Sequence, residues 1–91
     1  MKIWKFKLKK ERSQLVKMPS KAEIMDIQLQ NDNLVMWALI DPDDEEIEVK
    51  INMYGTGCEI NNTTSKDEYL ATVQEGLFVW HFFMNYEIAS Q

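Results

Sequence analysis

Apolar and polar residues alternate along most of this chain, and the alternation predicts strands. Over residues 3–8, Trp4, Phe6 and Leu8 share one face while Lys5 and Lys7 point the other way, the period-two pattern of a half-buried strand. Residues 13–18 carry a weaker version, with Leu15 and Val16 apolar, and Pro19-Ser20-Lys21 follows as a turn or an edge. In residues 24–30, Met25, Ile27 and Leu29 are expected inside, with Asp26, Gln28 and Gln30 outside. Asn31-Asp32-Asn33 then predicts a hairpin turn, because Asn and Asp tolerate positive φ. The return strand, 34–40, is apolar on both faces, which suits a central or doubly covered position.

Asp41-Pro42-Asp43-Asp44 predicts another turn. Residues 46–54 place Ile47, Val49, Ile51 and Met53 inside and Glu46, Glu48, Lys50 and Asn52 outside. Joined by the two turns, 24–30, 34–40 and 46–54 are expected to form a three-stranded meander. Gly55-Thr56-Gly57 ends it, and residues 61–66 read as a polar loop. In 68–74, Leu70 and Thr72 oppose Tyr69, Ala71 and Val73; Glu75-Gly76 then turns the chain into 77–84. That last strand is the most hydrophobic, with Phe78, Trp80 and Phe82 on one face and Val79, His81 and Phe83 on the other. It is expected to anchor the core. Since one small core cannot cover everything, Phe78, Trp80, Phe82 and Phe83 are also candidate interface residues. The tail, 85–91, admits a short helix but is too short to assign. No segment holds a 3.6-residue apolar period for more than about two turns. The expected fold is all-β: an antiparallel β-sandwich or small open barrel of six or seven strands, in one domain spanning 1–91.

Length and composition narrow this picture. A chain of 91 residues supports one domain and buries a little over ~60% of its unfolded surface. Its net charge of −5 argues against nucleic-acid binding, which needs a basic patch to displace counterions. The charge is nevertheless uneven. Lys2, Lys5, Lys7, Lys9, Lys10, Arg12, Lys17 and Lys21 crowd the start, and Asp41, Asp43, Asp44, Glu45, Glu46 and Glu48 crowd the middle. Two solvated surfaces explain this layout, and so does a charged partner or a self-associating pair. A single cysteine, Cys58, permits no internal disulfide, and the first residues lack an apolar targeting segment, so a reducing cytoplasm is the expected site. No apolar run approaches the ~20 residues of a membrane span.

The motifs also carry a resemblance. In order they are Ile3-Trp4-Lys5-Phe6-Lys7-Leu8; Met18-Pro19; Ala22-Glu23-Ile24 leading into Gln28-Leu29-Gln30; Trp37-Ala38-Leu39-Ile40-Asp41-Pro42; Gly55-Thr56-Gly57; and Leu77-Phe78-Val79-Trp80-His81-Phe82. In this order and spacing the chain, up to about Phe83, resembles an uncharacterised family of small proteins encoded by bacteriophages and by bacteria carrying prophages. It departs from that family where Cys58 replaces a frequent His and Ala71 a frequent Gly. The family has no assigned activity, so the resemblance implies a phage setting and little mechanism.

Candidate chemistry is sparse. Gly55-Thr56-Gly57-Cys58 could let a ligand approach the backbone or form an anion nest. A phosphate loop, however, needs a following helix and usually a Lys with Ser or Thr, so a bulge or tight turn is the simpler reading. Cys58 and His81 could pair as nucleophile and base. A lone Cys is more often a small hydrophobe, and His81 sits between Trp80 and Phe82, so no catalytic residue is assigned. The acidic turn at 41–46 lacks the EF-hand pattern, one Cys and one His cannot complete a zinc site, and no metal or cofactor is expected. Gln28 and Gln30, with Trp37, could read a ligand by amide hydrogen bonds and stacking. Candidate ligand-binding residues are therefore Gly55, Thr56, Gly57, Cys58, Gln28, Gln30, Trp37 and His81.

Three functions fit these features. The first is a non-enzymatic phage accessory protein that binds a host protein or sequesters a small, nucleotide-like signalling ligand, blunting host defence. The second is an assembly module forming a homo-oligomer or a virion part. The third is a small enzyme using Cys58 or His81.

Overall fold

The computed structural model describes residues 1–60 and 67–85. Seven strands follow in chain order: β1 (Lys2–Leu8), β2 (Ser13–Pro19), β3 (Glu23–Gln30), β4 (Asn33–Ile40), β5 (Glu46–Gly55), β6 (Glu68–Glu75) and β7 (Phe78–Asn85). One sheet has the order β1-β4-β3 and the other β2-β5-β7-β6, with every pairing antiparallel. The sheets share a core and do not close into a barrel. The architecture is a small β-sandwich, and no helix occurs among the described residues. The polar loop expected at 61–66 and the short helix admitted beyond Asn85 lie outside the described residues.

Local chemistry explains the two tightest turns. Gln30 pairs with Asn33, so Asn31 and Asp32 form a two-residue turn with φ of 52° and 64°, the left-handed pair of a type I′ hairpin. Glu75 pairs with Phe78, which puts Gly76, at φ 57°, first in the other two-residue turn. Leu77 is the second turn residue and is 99% exposed. It does not open the core strand, as its hydrophobicity suggested.

The expected meander does not form. β3 and β4 pair as a hairpin, but β5 crosses to the other sheet and pairs with β2 and β7. The second edge of β4 is taken by β1, whose seven residues from Lys2 to Leu8 pair with Ile40 to Leu34. Alternation says which face of a strand is buried and not which neighbour it has, so β1 and β5 were equal competitors for that edge.

Two bulges break strict alternation. The β3 register shifts between Ile24 and Asp26, so Ile24 and Ile27 both pack on the core while Met25, expected inside, is 55% exposed. The β6 register shifts between Tyr69 and Ala71. Ala71 and Val73 remain in the core, while Tyr69 joins Thr72 on the outer face. A bulge adds one residue and reverses the facing of everything before it.

The core is formed by Leu34, Met36, Ala38 and Ile40 of β4, by Val49, Ile51 and Met53 of β5, and by Phe82 and Met84 of β7 with their neighbours. Both two-faced strands are interior in their sheets. On the far face of β4, Val35 is buried between its register partners Lys7 and Gln28, whose aliphatic stems can shield it while their polar ends meet water.

Candidate functional site

The sequence candidates divide among three places. Gln28, Gln30 and Trp37 lie on the outer face of the three-stranded sheet. Lys5 Nζ reaches across to donate to Gln30 Oε1 at 3.1 Å, and Gln28 Nε2 donates to Asp26 Oδ2 at 2.7 Å. Trp37 pairs in register with Lys5 and Asp26. This patch is separated by the whole sandwich from the outer face of the four-stranded sheet, which carries His81.

On that second face, His81 is held by two threonines. Its Nε2 lies 2.7 Å from Thr56 Oγ1 and its Nδ1 lies 3.0 Å from Thr72 Oγ1; Thr72 Oγ1 lies 2.6 Å from the Tyr69 hydroxyl. Each hydroxyl can donate or accept, so the chain stays satisfied with the ring proton on either nitrogen. Beside it, Phe83 makes edge contacts with Tyr54 and Tyr69, at centroid distances of 5.9 and 5.7 Å. The second face of β7 is therefore covered by tyrosines of β5 and β6 within one chain.

Cys58 belongs to a third place. Gly55 pairs with Trp80, and a Cβ at Gly55 would sit 3.4 Å from both Cys58 Sγ and the Trp80 ring. The sulfur is thus on the Trp80 side of the sheet, opposite to His81, and the structure does not bring the two together. The loop itself is a tight turn: Cys58 N–H donates to the Gly55 carbonyl at 3.1 Å and Thr56 N–H to the Val79 carbonyl at 3.2 Å. Gly57 supplies φ 87°. Those two amides are committed, which leaves no run of free N–H groups for an anion nest.

A recess of about 270 Å³ opens beside this turn, lined by Lys10, Arg12, Met53, Tyr54, Gly55, Cys58 and Trp80. The cations come from the β1–β2 corner, which is tied to β5 by the Met53 N–H donating to the Arg12 carbonyl at 2.9 Å. Lys10 forms an ion pair with Glu75, whose other oxygen accepts from the Trp80 indole N–H at 3.2 Å. Glu75 thereby fixes both a cation and the indole plane. Among the described residues, the Arg12 guanidinium has no ion-pair partner. Burial, and then the Asp67 carboxylate, raise the Tyr54 pKa, while Arg12 pulls it down. Of these residues the sequence offered Gly55 and Cys58 as ligand candidates and Trp80 only as an interface candidate, and it gave no sign of Lys10, Arg12 or Tyr54.

The bond from Lys10, and then the one from the Trp80 indole, hold the Glu75 carboxyl below its ordinary range. A carboxyl lowered in the folded state adds stability above its unfolded pKa and loses it as pH falls through the folded value. Glu75→Gln is therefore expected to reduce the loss of stability between neutral and acid pH. Urea denaturation of both proteins at pH 7 and pH 3 checks this, and equal losses would contradict it.

The interface candidates also separate. Phe82 is wholly buried and offers no surface to a partner. Phe83 is half-buried between its tyrosines, and Trp80 packs partly on the core. Phe78 is 62% exposed and stacks on Trp80, with centroids 5.5 Å apart and planes 13° apart.

Among the described residues, no group of three or more His, Cys, Asp or Glu side chains could hold a metal ion. Asp41 Oδ1 instead accepts the Asp43 N–H at 3.0 Å within its own turn. No helix among them is long and apolar enough to cross a membrane.

Comparison with known proteins gives a family of unknown function. No curated protein matches the chain, and no solved structure matches it. The model of one domain family matches residues 1–91, and the chain belongs to that family, described as Domain of unknown function (DUF7352).

Proposed function

We propose that this domain is a non-enzymatic binding module whose recess beside Gly55–Cys58 captures a small, anionic, ring-bearing ligand of nucleotide-like chemistry. The observation that carries the reading is the composition of the recess. Arg12 supplies a cation without an ion-pair partner among the described residues, Trp80 supplies a ring, and Gly55 places no side chain between the Cys58 sulfur and the indole. Guanidinium groups suit phosphate or carboxylate oxygens, and stacking on an aromatic ring is tolerant of which base is stacked. A volume of about 270 Å³ is close to the lower bound of ~300 Å³ for small-molecule sites, a size that suits a mononucleotide. The pairing of Cys58 with His81 as nucleophile and base has no geometric support, since Cys58 lies on the other side of the sheet from His81.

The phage resemblance of the motifs supplies the biological side of the proposal. In that setting the ligand is a host signalling nucleotide, and capturing it blunts host defence.

Titration calorimetry with a panel of nucleoside monophosphates tests the binding reading. Saturable one-to-one binding is expected, and Arg12→Ala should weaken it by about tenfold, the worth of one charge-assisted hydrogen bond. Absence of heat with every member of the panel, or an unchanged affinity in the variant, would overturn it.

A second reading rests on Leu77 and Phe78, which project from the β6–β7 turn. If they mediate a homo-oligomer, light scattering will report a dimer that Phe78→Ser dissolves. A strict monomer at high concentration removes this reading.

A further inference from the structure

The two sheets meet closely along β3 and β6, whereas their opposite margins, β1 and β2, approach each other far less. β1 is consequently an uncovered edge among the described residues, paired with β4 on one side only. Such an edge presents N–H and C=O groups along its free side, a template for another strand. Its side chains are exposed along most of its length. Lys5 and Lys7 stand on the outer face, while Trp4, 40% exposed, and half-buried Phe6 stand on the inner face, their rings 6.4 Å apart.

We infer that β1 is a docking edge for an extended acidic segment of another protein, which adds to the three-stranded sheet as a fourth strand. Charge complementarity chooses this occupant. An added strand places alternate side chains on the two faces, one set beside Lys5 and Lys7 and the other beside Trp4 and Phe6. The segment that fits alternates acidic and apolar residues. A second copy fits badly, because pairing β1 with β1 sets lysines against lysines, which destabilises a sheet. Lysines on an edge discourage indiscriminate strand addition; here they also select the sign of the strand that can join. This edge is distinct from the recess, which contains none of its residues.

The test uses the full chain and a labelled peptide alternating Glu and Val, followed by fluorescence anisotropy and by amide shifts in NMR. Saturable binding is expected, with shifts concentrated on β1. Three changes should each weaken it at least about tenfold: a Lys-Val peptide, a Glu-Val peptide with N-methylated backbone amides on its pairing side, and the variant Lys5→Glu/Lys7→Glu, whose surface positions leave the core intact. An N-methylated peptide that binds equally well would reduce the effect to ion pairing and overturn the inference. So would shifts confined to other strands, undiminished binding by the double variant, no binding of the Glu-Val peptide, or a dimer in which β1 amides are already protected.

Discussion

Phe82→Ala is expected to cost about 3–5 kcal/mol, the range for removing a large ring from a packed core. Phe82 has no exposed surface and is the largest of the fully buried side chains. In register it lies between Met53 of β5 and Ala71 of β6, both buried. The small Ala71 cannot move into the space the ring leaves, and the facing sheet is fixed by its own strand pairing. A domain of this size has about 5–15 kcal/mol of total stability, so the variant should sit near the threshold of folding. In urea the midpoint should fall by about a fifth or more with an unchanged slope. A loss below about 1 kcal/mol, the scale of an ordinary surface change, would mean that β7 does not present Phe82 to the core.

The opposite manipulation tests the opposite sheet. Ala38 is fully buried in the middle of β4, with Trp4 and Ile24 as register partners on either side. Its small side chain leaves room for those neighbours and for the facing sheet. Ala38→Leu should cost about 1–3 kcal/mol or more by forcing side chains off their rotamers. Leu39→Ala, one residue along on the half-buried outer face, should cost less than a large-to-small change in the core. Thermal denaturation of the pair checks the facing of β4. If Ala38→Leu is tolerated and Leu39→Ala is the more damaging, the strand is turned the other way.

These positions also show what could be read before the fold was known. Alternation placed all seven strands, and the buried face where a regular strand alternates clearly, as in β5; in β2 the adjacent apolar Leu15 and Val16 left the face open, and Val16 is the one that packs on the core. It failed at Met25 and Tyr69, because a bulge is one extra residue with no obligatory sequence mark. It joined β5 to β4 because chain neighbours often pair, and β1, distant in sequence, won that edge. The contact between His81 and Thr72 was missed by one residue: a turn at Glu75-Gly76 would pair 74 with 77 and hence 72 with 79, whereas the turn at Gly76-Leu77 pairs 75 with 78 and hence 72 with 81. The contact between Thr56 and His81 required knowing that β5 and β7 are neighbours. The recess was half legible. Gly55, Cys58 and Trp80 stood out by residue type, but Arg12 and Lys10 reach them only because β2 and β5 pair, and no local pattern encodes that pairing.

The claim that most needs testing is that the turn after β5 and the corner before β2 build one ligand site. Two-dimensional NMR of the intact protein, titrated with a nucleoside monophosphate, tests it most directly. The account predicts saturable shifts of the Trp80 indole N–H, the Gly55 and Cys58 amides and the Arg12 side chain, with the amides of Gln28 and Gln30 on the far sheet unmoved. Shifts centred on Gln28, Gln30 and Trp37, or no shifts at millimolar ligand, would contradict it.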